Sequence, residues 1–161
     1  MLTLKIDTSN LNSIADTFSR QLYNKIQDEL QYEGESLVKH ARDLSPMESY
    51  NDQTGNLRSS IGFATYANGQ ETTKSDFPQV PPKIKDTEGV VFNGKEQGEQ
   101  CIEEHKGEVS RCTHGLVLVA GMEYASYVEK MESKNVLAKT ELKATQDMVS
   151  ILDNLKKKFK I

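Results

Sequence analysis

The chain has no tryptophan, four prolines and two cysteines in 161 residues. Two cysteines are too few for a disulfide scaffold, which needs several bridges to stand in for a core. No run of about 18 apolar residues occurs, so no spanning helix is expected. The N-terminal stretch Met1, Leu2, Thr3, Leu4, Lys5, Ile6 lacks the basic region and long apolar run of a signal peptide. The protein is therefore expected to be made and kept in the cytoplasm, with no membrane partner and with Cys101 and Cys112 reduced.

Positive charge is also short. The formal net charge is −4, which argues against a dedicated nucleic-acid binder, because phosphate affinity comes from clustered Lys and Arg. The sequence has no nucleophile elbow, no phosphate-cradling glycine loop and no paired-ligand metal box. No cofactor is expected, and function has to be sought in architecture. With 36% hydrophobic and 27% charged residues, the chain reads as one domain, 1–161, with a thin core. A thin core often completes its burial against a partner.

What is present is amphipathic periodicity. Leu2, Leu4 and Ile6 alternate with Thr3 and Lys5, as in a strand with one buried face. Asp7, Thr8, Ser9 and Asn10 offer helix-starting oxygens, and Ser13 with Asp16 would form a capping box if the helix began a turn later. Leu11, Ile14, Ala15, Phe18, Leu22, Ile26, Leu30, Leu37, Val38, Ala41 and Leu44 then recur at spacings of three and four. A helix of about 30 residues is about 45 Å long, more than a small core covers, so part of its stripe is expected to face another subunit.

Pro46 ends that helix. Gly55 permits a change of direction, and Leu57, Ser59 and Ile61 resume a strand-like alternation. Ile61, Phe63 and Thr65 share one strand face, with Ala64 and Tyr66 on the other, and Asn68-Gly69 marks a turn. Residues 70–90, polar and holding Pro78, Pro81 and Pro82, read as an irregular or partly extended excursion. Residues 95–106 fit either a helix stopped near Gly107 or a hairpin setting Cys101 opposite Cys112, and their composition favours the helix. Leu116, Val117, Leu118, Val119 and Ala120 read as a doubly buried strand at the centre of the sheet. Residues 122–129 suggest a turn or short helix, Val136-Leu137 a brief extended bridge, and Ala138, Leu142, Thr145, Val149, Leu152 and Phe159, with Met148 and Leu155, the stripe of a final helix.

Several constellations have chemical readings. Cys101, His105, Cys112 and His114 supply four zinc-ligand types within 14 residues, but not at paired spacing, so reduced thiols are the simpler account. Glu103 with Glu104, and Glu123 with Glu129, are carboxylate pairs without a sequence context that specifies a pocket. Ser59 and Ser60 would need His40, His105 or His114 as a base before acting as nucleophiles; a polar strand edge is the plainer reading. Lys156, Lys157, Lys158 and Lys160 offset the dipole of the last helix and offer weak contact with DNA or an acidic partner.

Ala41, Leu44, Pro46, Asp52 and the run Thr54-Gly55-Asn56-Leu57-Arg58-Ser59-Ser60-Ile61, followed late in the chain by Val119-Ala120-Gly121-Met122-Glu123-Tyr124-Ala125-Ser126-Tyr127-Val128-Glu129, resemble a family of tailed-bacteriophage minor structural proteins, the tail components that act in tail completion or head-to-tail joining. Members have a long N-terminal helix, a Pro, a Thr-Gly-x-Leu-x-x-Ser-Ile entry into a strand, and a later strand leading to Tyr-Ala-x-Tyr-Val-Glu. Here Lys130-Met131-Glu132 stands where many members have an aromatic and a Gly. The resemblance implies an α+β subunit, with long N- and C-terminal helices packed on a small mixed or antiparallel sheet. It implies a non-enzymatic virion assembly protein of a phage or prophage, in the tail or neck and, during assembly, the host cytoplasm. Such subunits form a homo-oligomeric ring that meets connector and tail proteins. Pro46, Tyr50, Asp52, Thr54, Gly55, Leu57, Arg58, Tyr124, Tyr127 and Glu129 are the expected contacts with subunits or partners. The competing expectations are a DNA-associated accessory or regulatory module using the C-terminal lysines, and a hydrolase.

Overall fold

The computed structural model describes residues 9–44, 55–79, 93–123, 125–126 and 136–160. The elements are α1 (Ser9–Asp43), α2 (Asn56–Ser59), β1 (Ile61–Ala67), β2 (Gln70–Lys74), α3 (Gly94–His105) with a 3-10 turn after it (Lys106–Val109), β3 (His114–Ala120) and α4 (Val136–Phe159). The fold is α+β, with the long first and last helices against a small antiparallel sheet of order β2-β1-β3. The strand expected for residues 2–6, the Pro46 break, residues 47–53, and Tyr124, Tyr127 and Glu129 lie outside the described residues.

β1 is the centre, and all seven of its residues are buried. Strand side chains alternate between faces, so Ile61 and Phe63 enter a cluster with Val38, Ala41, Leu44 and Val136. Ala64 and Tyr66 enter a second cluster with Phe77, Ile102 and Val119. The sheet is thus a middle layer between α1 with α4 on one face and α3 on the other. Gly34 sets the depth of α1: a Cβ at that position would lie 2.3 Å from Cδ2 of Phe63. Only a residue without a side chain lets the helix settle on that ring.

α4 runs antiparallel to α1 over its whole length. Val136 packs with Val38 and Ala41 at one end, and Phe18 meets Phe159 edge to face at the other, with ring centres 5.4 Å apart. The sheet lies under the C-terminal half of α1 only. Along the N-terminal half the pair of helices runs on without it, and Leu11 and Ile14 are about 60% exposed.

Four expectations are corrected by this arrangement, and a fifth, left between two alternatives, is decided. β1, not the more apolar β3, is central, because apolar residues on both faces report helices above and below a strand and say nothing of its edges. Gln70–Lys74, in the stretch expected to be irregular or partly extended, is a full strand; the Asn68-Gly69 turn, with φ of 51° and 76°, folds it back onto β1. Leu57 and Ser59 lie in a single helical turn, not a strand: Gly55 at φ 78° starts it, and Ser59 and Ser60 return their hydroxyls to the carbonyls of Asn56 and Leu57 at 2.9 and 2.8 Å. Val136 and Leu137 open α4 instead of forming an extended bridge. α1 begins at Ser9, so Ser13 sits inside it and donates to the Asn10 carbonyl at 3.0 Å instead of capping.

Candidate functional site

Two grooves flank α1, and they differ in kind. The first lies between α1 and β2, has a volume of about 610 Å³, and is lined by Glu35, Lys39, Arg42, Asp43, Lys74 and Asp76 among others. Arg42 Nη2 donates to the Ile61 carbonyl at 2.5 Å and to the Asp76 carbonyl at 3.3 Å. It therefore closes the end of β1 that β2 leaves unpaired. β2 itself carries exposed Glu71 and Lys74, and the pairing register shifts between Thr65 and Tyr66. Charge, short length and a bulge are the devices by which sheet edges avoid pairing with other chains.

The second groove, of about 670 Å³, lies between α1, α4 and the start of β3. Ile26, Leu30, Leu116, Met148, Val149 and Leu152 line it, and His114 closes one end. The His114 ring lies 4.5 Å from that of Tyr23, and its Nδ1 donates to Gln27 Oε1 at 3.2 Å in the tautomer that this contact requires. Burial pushes the His114 pKa below its ordinary value. β3 contains no Lys, Arg, Asp, Glu or Pro.

The backbone of β3 is directional. Asn68 N–H donates to the Thr113 carbonyl at 2.9 Å, and Gly121 N–H to the Ser60 carbonyl at 3.1 Å. In an antiparallel ladder the bonded pairs recur every second residue, so the odd-numbered residues from 113 to 121 bond β1. The N–H and C=O groups of His114, Leu116, Leu118 and Ala120 point the other way, and no strand among the described residues pairs with them.

α4 contributes a second surface. Of the stripe read from the sequence as its core face, Leu142, Thr145, Val149 and Leu152 lie outward, with Leu142 61% and Val149 58% exposed, whereas Leu155 is buried and Phe159 meets Phe18 of α1. The face that packs on α1 carries Val136, Thr140 and Leu155, all buried. α4 is apolar around more than half its circumference, and periodicity cannot tell which part of so wide an arc meets α1.

The expected site residues are dispersed. Cys101 and His105 lie on α3, where His105 Nδ1 donates to the Cys101 carbonyl at 2.8 Å, while His114 is across the sheet against α1. Cys112 is exposed. The sheet separates His114 from Cys101 and His105, and no group of three or more His, Cys, Asp or Glu able to hold a metal occurs among the described residues. Burial raises the pKa of the Cys101 thiol, which disfavours the thiolate. Ser59 and Ser60 are buried, with their hydroxyls on the backbone of α2.

Of the expected contact residues, Leu57 turns inward against Met122 and Ala125, so it offers no side chain to a neighbour. Arg58 Nη2 donates to the Leu44 carbonyl at 3.4 Å, at the end of α1. Gly55 serves the turn. Pro46, Tyr50, Asp52, Thr54, Tyr124, Tyr127 and Glu129 lie outside the described residues. Lys156, Lys157, Lys158 and Lys160 are exposed at the end of α4. Reasoning from the sequence missed the β3 edge and the groove beside it. A signal for them was present in the charge-free strand and the overwide apolar arc of α4.

Compared with known protein families, curated proteins and solved structures, the chain matches none.

Proposed function

We propose that this protein is a non-enzymatic assembly subunit of a tailed phage or prophage virion, a tail-completion or head-to-tail joining component that works as a ring of copies in the tail or neck. The observation that carries the reading is the uncharged edge of β3 beside an apolar groove, on a chain whose other edge is charged and bulged. Surfaces of that kind mark interaction sites. The Thr54 to Ile61 and Val119 to Glu129 blocks of the sequence supply the family resemblance. Its test is native mass spectrometry and negative-stain microscopy of the chain alone and with connector and tail proteins. Rings or concentration-dependent oligomers are the expected result; isolated monomer under every condition overturns the reading.

The exposed lysines at the end of α4 favour a second reading, a DNA-associated accessory module. Tight DNA binding by the isolated chain, with a steep salt dependence lost when the lysines become Gln, would replace the ring with this module.

A further inference from the structure

Among the described residues no strand pairs with the outer edge of β3, and that edge together with α4 defines a candidate fourth strand position. His114, Leu116, Leu118 and Ala120 turn their backbone groups toward it, and Val149 and Leu152 of α4 stand over it. On the opposite face α3 and the 3-10 turn after it pack on both β1 and β3, with Ile102 among Ala64, Tyr66 and Val119 and with Val109 beside Gly115. A strand in that position would meet the apolar groove on one face, which calls for an apolar residue at every second position. The alternation that suits it is apolar, polar, apolar.

Residues 2–6 carry that alternation: Leu2, Leu4 and Ile6 on one face, Thr3 and Lys5 on the other. They cannot deliver it to their own β3. His114 sits beside Gln27, and Gln27 lies about 27 Å along α1 from Ser9 at 1.5 Å per residue. β3 runs from there still farther from Ser9, since Leu118 pairs with Phe63 and Phe63 lies under Gly34. Fully extended back along the helix, the seven steps from Ser9 to Leu2 span about 24 Å. Leu2 would stop short of the level of Gln27, and no residue of the segment could lie along residues 116–120.

We propose that residues 2–6 of one copy add as a fourth strand to β3 of the next, with Leu2, Leu4 and Ile6 facing the apolar groove under α4. This is strand addition, in which backbone hydrogen bonds hold the segment and alternate side chains set its register. Donor and acceptor are different surfaces, so the contact is head-to-tail and repeats around a closed ring. The inference rests on the assembly reading and names the parts that meet.

The test mixes two chains in a Cys101→Ser, Cys112→Ser background, one carrying Lys5→Cys and the other Val117→Cys or Val119→Cys. Under mild oxidation a disulfide is expected between the two chains. A disulfide within a single chain carrying both cysteines, or Val117→Cys chains joining each other in preference, overturns the proposal, the latter by identifying β3–β3 pairing. In parallel, Leu2→Thr, Leu4→Thr and Ile6→Thr are combined in one variant. Its helical circular dichroism is expected to be unchanged, and the protein concentration at half-assembly should rise about tenfold or more, because three apolar side chains lose their burial. Amide exchange of His114–Ala120 in the assembled protein should rise to the level of the monomer. Oligomers of unchanged strength with unchanged protection of β3 would sink strand addition and leave the assembly reading standing. A parent chain that stays monomeric with every partner sinks both.

Discussion

The two edges of the sheet are treated in opposite ways. At β2 the strand is five residues long, polar and exposed, with Glu71 and Lys74 on it and a register shift beside it. At β3 the strand has seven residues, none charged, and the neighbouring groove is apolar where the β2 groove is lined by Glu35, Lys39, Arg42 and Asp76. A monomeric sheet protein needs both edges blunted. Among the described residues this chain blunts only the β2 edge, and the proposed joining uses the other.

The largest way to break this comparison is to lift α1, which forms one wall of both grooves. Gly34→Val places methyl groups where the Phe63 ring lies, and should cost about 3 kcal/mol of stability, read by urea unfolding. Both grooves would be lost together.

A sharper probe charges one edge at a time. Leu116→Lys places an ammonium in the β3 groove and should weaken assembly about tenfold or more, read by sedimentation velocity, while the monomer stays folded. Glu71→Lys on β2 reverses an exposed charge and should change stability by less than about 0.5 kcal/mol with assembly intact. Equal effects from the two substitutions would erase the distinction between the edges.

Glu33 departs from the pattern, as a carboxyl that is 3% exposed on the apolar side of α1, next to the Lys143 and Asp147 pair of α4. Its Oε1 has no hydrogen-bond partner. Burial, and then the charge of Asp147, push its pKa above the usual carboxylate range. The folded state therefore holds the proton more tightly than the unfolded one. The associated stabilisation is complete below the unfolded value of about 4.3 and is lost as pH rises through the higher folded value. Glu33→Gln should be more stable than the parent by about 1 kcal/mol at pH 7, with the gain vanishing near pH 4. Denaturation at the two pH values reads the difference. A gain independent of pH would mean that the carboxyl does not titrate in this way.

The smallest effect is expected at the end of α4. The Lys156 and Asp153 pair, at 3.7 Å with both side chains more than half exposed, contributes little. Changing Lys156, Lys157, Lys158 and Lys160 together to Gln should leave the melting temperature nearly unchanged. Any weak DNA binding should fall, and its salt slope should flatten by up to about 3 to 4.

How much of this was legible in the residues depended on where each signal was written. The 3.6-residue period of Leu30, Leu37, Val38, Ala41 and Leu44 and the alternation of Ile61, Phe63, Thr65 against Ala64 and Tyr66 are side-chain patterns, and both predicted the buried faces correctly. The helix at residues 95–106 followed from composition and is observed as Gly94–His105. Strand order was not legible, because an edge is a property of backbone groups that side chains do not report. Gln70–Lys74 looked irregular or partly extended because a strand lying at the outer edge needs no apolar residues. The α2 turn looked like strand because Leu57, Ser59 and Ile61 are spaced by two, while the left-handed Gly55 bends the chain before that spacing can act. At the candidate surface, the excess length of α1 expected from its stripe is observed as a stretch beyond the sheet with Leu11 and Ile14 exposed, but the named contacts Leu57 and Arg58 turn toward their own chain.

By itself, the sequence determined two long amphipathic helices, a strand with two apolar faces at β1 and another at β3, and the tight Asn68-Gly69 turn. These follow from local sterics and periodic burial, which act over a few residues. Only the tertiary structure decided that β1 lies between its neighbours, that α4 turns Leu142, Val149 and Leu152 away from α1, and that β3 lies beside an apolar groove with its outer edge unpaired among the described residues. Those outcomes depend on which surfaces compete for the same partner, and α1, seated on Phe63 through Gly34, covers one face of the sheet without reaching past its last strand.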